Sequence, residues 1–114
     1  MKLVFIASPF RAPTEWGRAE NVRLAERLAL EVWKAGAVAV CPQANSALFQ
    51  DECPDEVFLE GYLELLRRCD AVLFASESRM SAGVHVEVEE ARRIGLPVFS
   101  CIEQVAHWAK GAAT

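Results

Sequence analysis

The chain has 114 residues, 53% of them apolar and 25% charged, with a formal net charge of −4. That length suits a single domain, and that apolar content fills one core and argues against disorder; the acidic balance disfavours a nucleic-acid polymer as partner, because such a partner wants a basic face. Met1-Lys2 leads straight into an apolar run with no cleavage-site pattern, and no apolar run approaches membrane-spanning length, so neither a secretory leader nor a membrane association is expected.

Leu3-Val4-Phe5-Ile6-Ala7 is a continuous apolar run, as expected of a strand buried on both faces of a parallel sheet. Ser8 to Thr14, with Pro9 and Pro13, then reads as a loop. In an open α/β sheet the loop after a strand's carboxyl end is where ligands bind, so Arg11 suits either a phosphate or carboxylate contact or plain solvation. Glu15 to Ala35 is one long helix, with Thr14 as N-cap and Gly36 as its stop. Val22, Ala25, Ala29 and Val32, flanked by Leu28 and Trp33, form its core stripe. Ala37 to Cys41 reads as a second buried strand.

Pro42 to Pro54 reads as a long polar loop containing Gln43, Asn45, Ser46, Phe49, Gln50 and Asp51; a loop of that length in a small α/β unit is often functional. Phe49 fits either a stack against a base or sugar or a plug for the core. Pro54 suits the first position of a helix to Arg68, buried by Phe58, Tyr62, Leu65 and Leu66. Gly61 weakens that helix by about 1 kcal/mol relative to Ala, which suggests close packing there. Asp70 to Ala75 is a third strand, Ser76 to Ser81 a loop, Pro97 to Ser100 a fourth strand after a Gly95 stop, and Val105 to Lys110 a short helix. This alternation implies a flavodoxin-like (Rossmann-like) three-layer sandwich, one domain over residues 1–114, with a parallel sheet of four or five strands in the order 2-1-3-4. Cys41, Cys53, Cys69 and Cys101 are scattered without C-x-x-C pairs. They read as reduced thiols of a cytoplasmic protein, three of them small hydrophobes in or beside strands.

The stretch with most chemical content is Ser81-Ala82-Gly83-Val84-His85-Val86-Glu87. It opens a helix just after an apolar strand, with Ser81 as N-cap and Gly83 permitting close approach to the backbone. At about 100° per residue the apolar face is Val84, Val88, Ala91 and Ile94, and Glu87 falls inside it. Glu89, Glu90 and Arg93 fall on the opposite, solvated side. A carboxylate on the apolar face is paired, protonated or used; the bland alternative is one that snorkels to the edge or meets an Arg.

Ile6-Ala7-Ser8-Pro9-Phe10-Arg11, Cys69-Asp70-Ala71-Val72, the Ser81 to Glu87 stretch followed by Ala91, and Gly95-Leu96-Pro97-Val98 together resemble the nucleoside 2-deoxyribosyltransferase-like superfamily. Within it the chain is most similar to small uncharacterised phage and bacterial members, from Lys2 to Phe99. The resemblance implies that Glu87 is a nucleophile attacking the anomeric carbon of a sugar and displacing the base, the double displacement of retaining glycosidases. It further implies that Ser81 and Gly83 hold the sugar's 5′ end or its phosphate and that Ser8, Pro9, Phe10 and Arg11 cradle the same ligand. It implies a homo-oligomer; no cofactor is expected, and no metal, the cysteines being scattered without ligand spacing. Phe5 stands where family enzymes often carry a Tyr whose hydroxyl orients the nucleophile, and Gln43 stands where close relatives often show a His. Near Tyr62, where many carry an Asp for the leaving base, no carboxylate sits in register.

Two functions follow as expectations. One is an N-glycosidic transferase or hydrolase acting on nucleosides or nucleoside 5′-monophosphates; the other is a binding module that keeps the pocket without the chemistry. A flavin or dinucleotide binder is more remote, because no G-x-G-x-x-G loop follows the first strand.

Overall fold

The computed structural model describes residues 1–75 and 81–111. Its elements are β1 (Leu3–Ala7), α1 (Glu15–Lys34), β2 (Val38–Val40), α2 (Pro42–Asn45), a 3₁₀ turn at Gln50–Glu52, α3 (Asp55–Leu66), β3 (Ala71–Phe74), α4 (Ala82–Arg93), β4 (Val98–Phe99) and α5 (Ile102–Gly111). The strands form one all-parallel sheet in the order β2-β1-β3-β4, the flavodoxin-like arrangement expected from the alternation. Of the loop expected over Ser76 to Ser81, residues 76–80 lie outside the described residues. No helix among the described residues is long and apolar enough to cross a membrane.

The strands are apolar at every position because both faces of the sheet are covered. Val4 and Ile6 of β1 and Ala71 and Leu73 of β3 pack against Ala25, Ala29 and Val32 of α1 and Val105 of α5. Their alternating neighbours Phe5, Ala7, Val72 and Phe74 pack on the other side against Leu66 of α3 and Val84, Val88 and Ala91 of α4. At the start of the sheet the Asp70 carboxylate accepts from Leu3 N at 2.7 Å, while Asp70 N donates to Leu3 O at 2.8 Å. Gly36 and Gly95, with φ of 93° and 83°, take the left-handed conformation that ends α1 and α4.

Several expectations are corrected. The second strand is confined to Val38–Val40 and is only half-buried, because β2 is a sheet edge paired on one side. The segment from Pro42 to Pro54 is not plain loop: Pro42 opens the one-turn helix α2 and Gln50 the 3₁₀ turn. Pro54 is the N-cap of α3 rather than its first residue, and that helix stops at Leu66, short of Arg68. The last helix begins earlier, at Ile102. Trp33 is 53% exposed, about 100° around α1 from the buried Val32. Cys101 is also exposed, just beyond the short β4, so it does not serve as a strand hydrophobe.

Gly61 does not mark close packing. It lies mid-helix with nothing within 4 Å of where a Cβ would stand. Gly61→Ala therefore stabilises the protein by roughly 0.5–1 kcal/mol, through the entropy of the unfolded chain and better helix propensity. The expected readout is a higher urea midpoint at unchanged m-value; a lower midpoint contradicts the open environment.

Candidate functional site

β1 leads through α1 to β2 on one side of the sheet, and β3 leads through α4 to β4 on the other. The connections after β1 and β3 therefore diverge, leaving a crevice outside the carboxyl ends of the strands. A cleft of about 590 Å³ occupies this place, within the size range of small-molecule sites. Its walls come from the loop after β1, from α2 and the 3₁₀ turn, from the first two turns of α3, and from the first turns of α4.

The loop after β1 is held at both ends by side-chain amides. Gln43 Nε2, on α2, donates to Ser8 O at 2.6 Å and to Ile6 O at 3.4 Å. Asn21 Nδ2, on α1, donates to Phe10 O at 3.1 Å and Arg11 O at 3.2 Å. Between these clamps Ser8 faces the cleft with its hydroxyl buried and without a hydrogen-bond partner among the described residues. A buried hydroxyl left unsatisfied costs on the order of 1–3 kcal/mol, so a polar ligand atom placed beside it is favoured. The Arg11 guanidinium pairs with the Asp55 carboxylate of α3, and both side chains are more than half exposed. An exposed pair of this kind contributes only about 0–1 kcal/mol, so an anionic ligand can recruit Arg11 at little cost.

α4 supplies the opposite wall. The Ser81 hydroxyl accepts from Val84 N at 3.2 Å, as expected of the N-cap. A Cβ at Gly83 would come no closer to the protein than 3.9 Å, to Ser81 Oγ, so the room expected beside this glycine belongs to the cleft. One turn on, Glu87 lines the cleft between the buried Val84 and Val88. No cation or hydrogen-bond donor among the described residues meets it, and burial alone pushes its carboxyl up to about 8. Desolvation thus favours the protonated carboxyl, able to donate a hydrogen bond or, once ionised, to act as a poorly solvated base or nucleophile.

Glu90, expected on the solvated face, behaves differently. Its side chain is only 12% exposed and is gripped by Arg67 at 2.6 Å and Arg93 at 2.7 Å, which hold it down at about 2. The arginine from the end of α3 staples that helix to α4.

Of the other residues singled out from sequence, Phe10, Gln43 and Ser81 line the cleft with Ser8, Arg11, Gly83 and Glu87. Phe5 does not: it is fully buried in the core between the sheet and the helices α3 and α4. Pro9 and Phe49 are not in the lining either. Phe49 is half-exposed and sits 6.1 Å, ring to ring, from Phe58, which is itself in the wall, so Phe49 stands behind the lining and is not a plug for the core.

Asp55, Glu56 and Tyr62 line the cleft but were not singled out as site residues, although Tyr62 marks the place where no in-register carboxylate was found. Asp55 and Glu56 follow a proline at a helix start, where acids are ordinary partners of the helix dipole and carry no special signal. Among the described residues no group of three or more His, Cys, Asp or Glu side chains is placed to hold a metal ion.

A family model described as a domain of unknown function (DUF7768) matches residues 2–101. The chain belongs to that family. The match takes in β1 to β4 and every wall of the cleft, and stops just before α5. No curated protein matches the chain.

The state of Glu87 is testable through stability alone. Its pKa is raised from 4.5 to about 8 in the fold, so the folded protein holds a proton that the unfolded chain releases. The stability this proton contributes is complete below about 4.5 and falls as pH rises towards 8, by at most about 1.4 kcal/mol per pH unit. Glu87→Gln removes this loss, so the variant gains on the wild type between pH 5 and pH 8 in urea titrations. A constant difference across that range contradicts a desolvated carboxyl at Glu87.

Proposed function

We propose that the cleft binds a nucleoside or nucleoside 5′-monophosphate and that Glu87 cleaves its N-glycosidic bond. The observation that carries this reading is one carboxyl, on the apolar face of α4, lining a cleft at the sheet's switch point with no partner among the described residues. The motifs around Ser8 to Arg11 and Ser81 to Glu87 support it through their resemblance to the nucleoside 2-deoxyribosyltransferase-like superfamily. In the first step an ionised Glu87 oxygen forms a bond to the anomeric carbon, the bond to the base breaks, and the base leaves with the electron pair and takes up a proton. In the second, water or another base attacks the same carbon and frees Glu87. The Ser8 hydroxyl, Arg11 and the Ala82 and Gly83 amides at the start of α4 offer donors to the 5′ end of the ligand.

A second reading, a nucleotide-binding module without chemistry, draws on two observations. Phe5 is turned into the core and offers no hydroxyl to orient Glu87, and burial disfavours the ionised form of Glu87 that a nucleophile needs. Glu87→Gln separates the readings. For the enzyme, wild-type protein releases free base from deoxynucleosides or their monophosphates, and the variant loses that rate by on the order of 10³-fold or more while ligand affinity stays within a few-fold. Because the nucleophile must be ionised, kcat/KM of the wild type rises with pH towards about 8. Tight binding by wild-type protein with no base released selects the binding module.

The reading extends to assembly and setting. Val57, Leu59 and Val86 are exposed, and the last two lie at the cleft, so a second copy of the chain that covers them also encloses the site. A homo-oligomer is therefore expected, with light scattering giving a multiple of 12.6 kDa at micromolar concentration; a monomer mass there contradicts it. All four cysteines are free thiols, in keeping with a reducing cytoplasmic setting.

A further inference from the structure

The polar groups of the cleft are unevenly divided between its walls. On the side built by α2, the 3₁₀ turn and α3, the side-chain donors are already committed within the protein. Gln43 Nε2 is taken by the carbonyls of Ser8 and Ile6. Gln50 Nε2 donates to Ser46 Oγ at 2.9 Å and to Ser46 O at 3.3 Å. A carbonyl accepts only, so this contact fixes which way the Gln50 amide is turned. The Tyr62 hydroxyl lies 2.6 Å from Ser46 Oγ and 3.2 Å from Pro42 O, and Ser46 Oγ lies 3.4 Å from the same carbonyl. Two hydroxyl protons are thus absorbed by the pair and by Pro42 O.

Lone pairs are what remain on this side. Gln50 Oε1 has no partner among the described residues, and the Glu56 carboxylate has no ion pair there; the Asp55 carboxylate is engaged by Arg11. Phe58 and Leu59 add apolar surface beside them. The opposite side has the reverse character, with the Ser8 hydroxyl, which has no partner among the described residues, and the Ala82 and Gly83 amides at the start of α4.

We infer that the α2–α3 wall receives the amino-bearing edge of a nucleobase, so that the cleft selects adenine- and cytosine-type ligands over their oxo counterparts. The inference rests on the nucleotide reading above and adds to it which bases are taken. An exocyclic amine brings hydrogens to a wall of acceptors, while an oxo group there sets lone pair against lone pair and leaves both unsatisfied. A site built for one hydrogen-bonding pattern rejects the complementary pattern more strongly than an apolar pocket rejects a change of size.

Calorimetric titration of matched pairs tests this: deoxyadenosine against deoxyinosine monophosphate, and deoxycytidine against deoxyuridine monophosphate. The amino member of each pair is expected to bind roughly tenfold tighter or more. Glu56→Lys, an exposed change that leaves the core untouched, replaces an acceptor by a donor and is expected to narrow or reverse both ratios; Gln50→Leu is expected to narrow them. Binding of both members with equal affinity, or tighter binding of the oxo member, overturns amine selection while leaving the nucleotide reading standing. A preference undiminished in both variants overturns the assignment to this wall. Failure of all four ligands to bind overturns the nucleotide reading and this inference with it.

Discussion

β1 and β3 pair in parallel at the centre of the sheet, in register from Val4 opposite Ala71 to Ala7 opposite Phe74, with both faces covered. Everything at the site hangs on this pairing. It brings the ends of β1 and β3 side by side, and the chain then leaves them in opposite directions. Moving β1 by one residue would turn Phe5 and Ala7 out of one core and Val4 and Ile6 out of the other, because side chains alternate faces with a period of two. Asp70 reinforces the register from the far end by accepting from Leu3 N, a hydrogen bond to a charged group and so among the stronger ones.

On α4 two glutamates three residues apart show how environment decides what a carboxyl is for. Glu90 lies between two guanidiniums and is held ionised at about 2, a staple between helices. Glu87 lies toward the sheet, among Val84 and Val88, and desolvation moves it the other way, to about 8. The two stand only about 60° apart around the helix, yet that step exchanges an apolar wall for a pair of arginines. Glu90 is therefore a structural group, and Glu87 is the one whose charge answers to whatever enters the cleft.

The loop after β1 owes its shape to side chains outside it. Gln43, from α2, holds the carbonyls of Ile6 at the end of β1 and of Ser8, and Asn21, from α1, those of Phe10 and Arg11. Gln43 thus shapes the site chiefly by fixing where Ser8 stands, since both its amide hydrogens are engaged by backbone. The Arg11–Asp55 pair spans from this loop to α3, weak enough to exchange partners because it is exposed.

The strand order and layers were legible in the sequence because they follow from local pattern: unbroken apolar runs mark strands covered on both faces, and their alternation with amphipathic helices allows few topologies. The caps at Thr14 and Ser81, the stops at Gly36 and Gly95, and the place of Glu87 on the inner face of α4 were legible for the same reason, since each depends on residues within a turn or two. What tertiary structure decided was every relation between distant segments. Strand alternation tells that Phe5 and Val4 face opposite ways but not which layer holds the cleft, and Phe5 proved to face the core. Helical period put Glu90 on the outer face of α4, but the arginine that captures it from another helix lies 23 residues away in the chain. Asp55 and Glu56 looked like ordinary first-turn acids, and only the packing of α3 against α4 and, through Tyr62, against α2 brings them to the cleft. Local spacing determines which face a side chain takes, and long-range packing determines what that face meets.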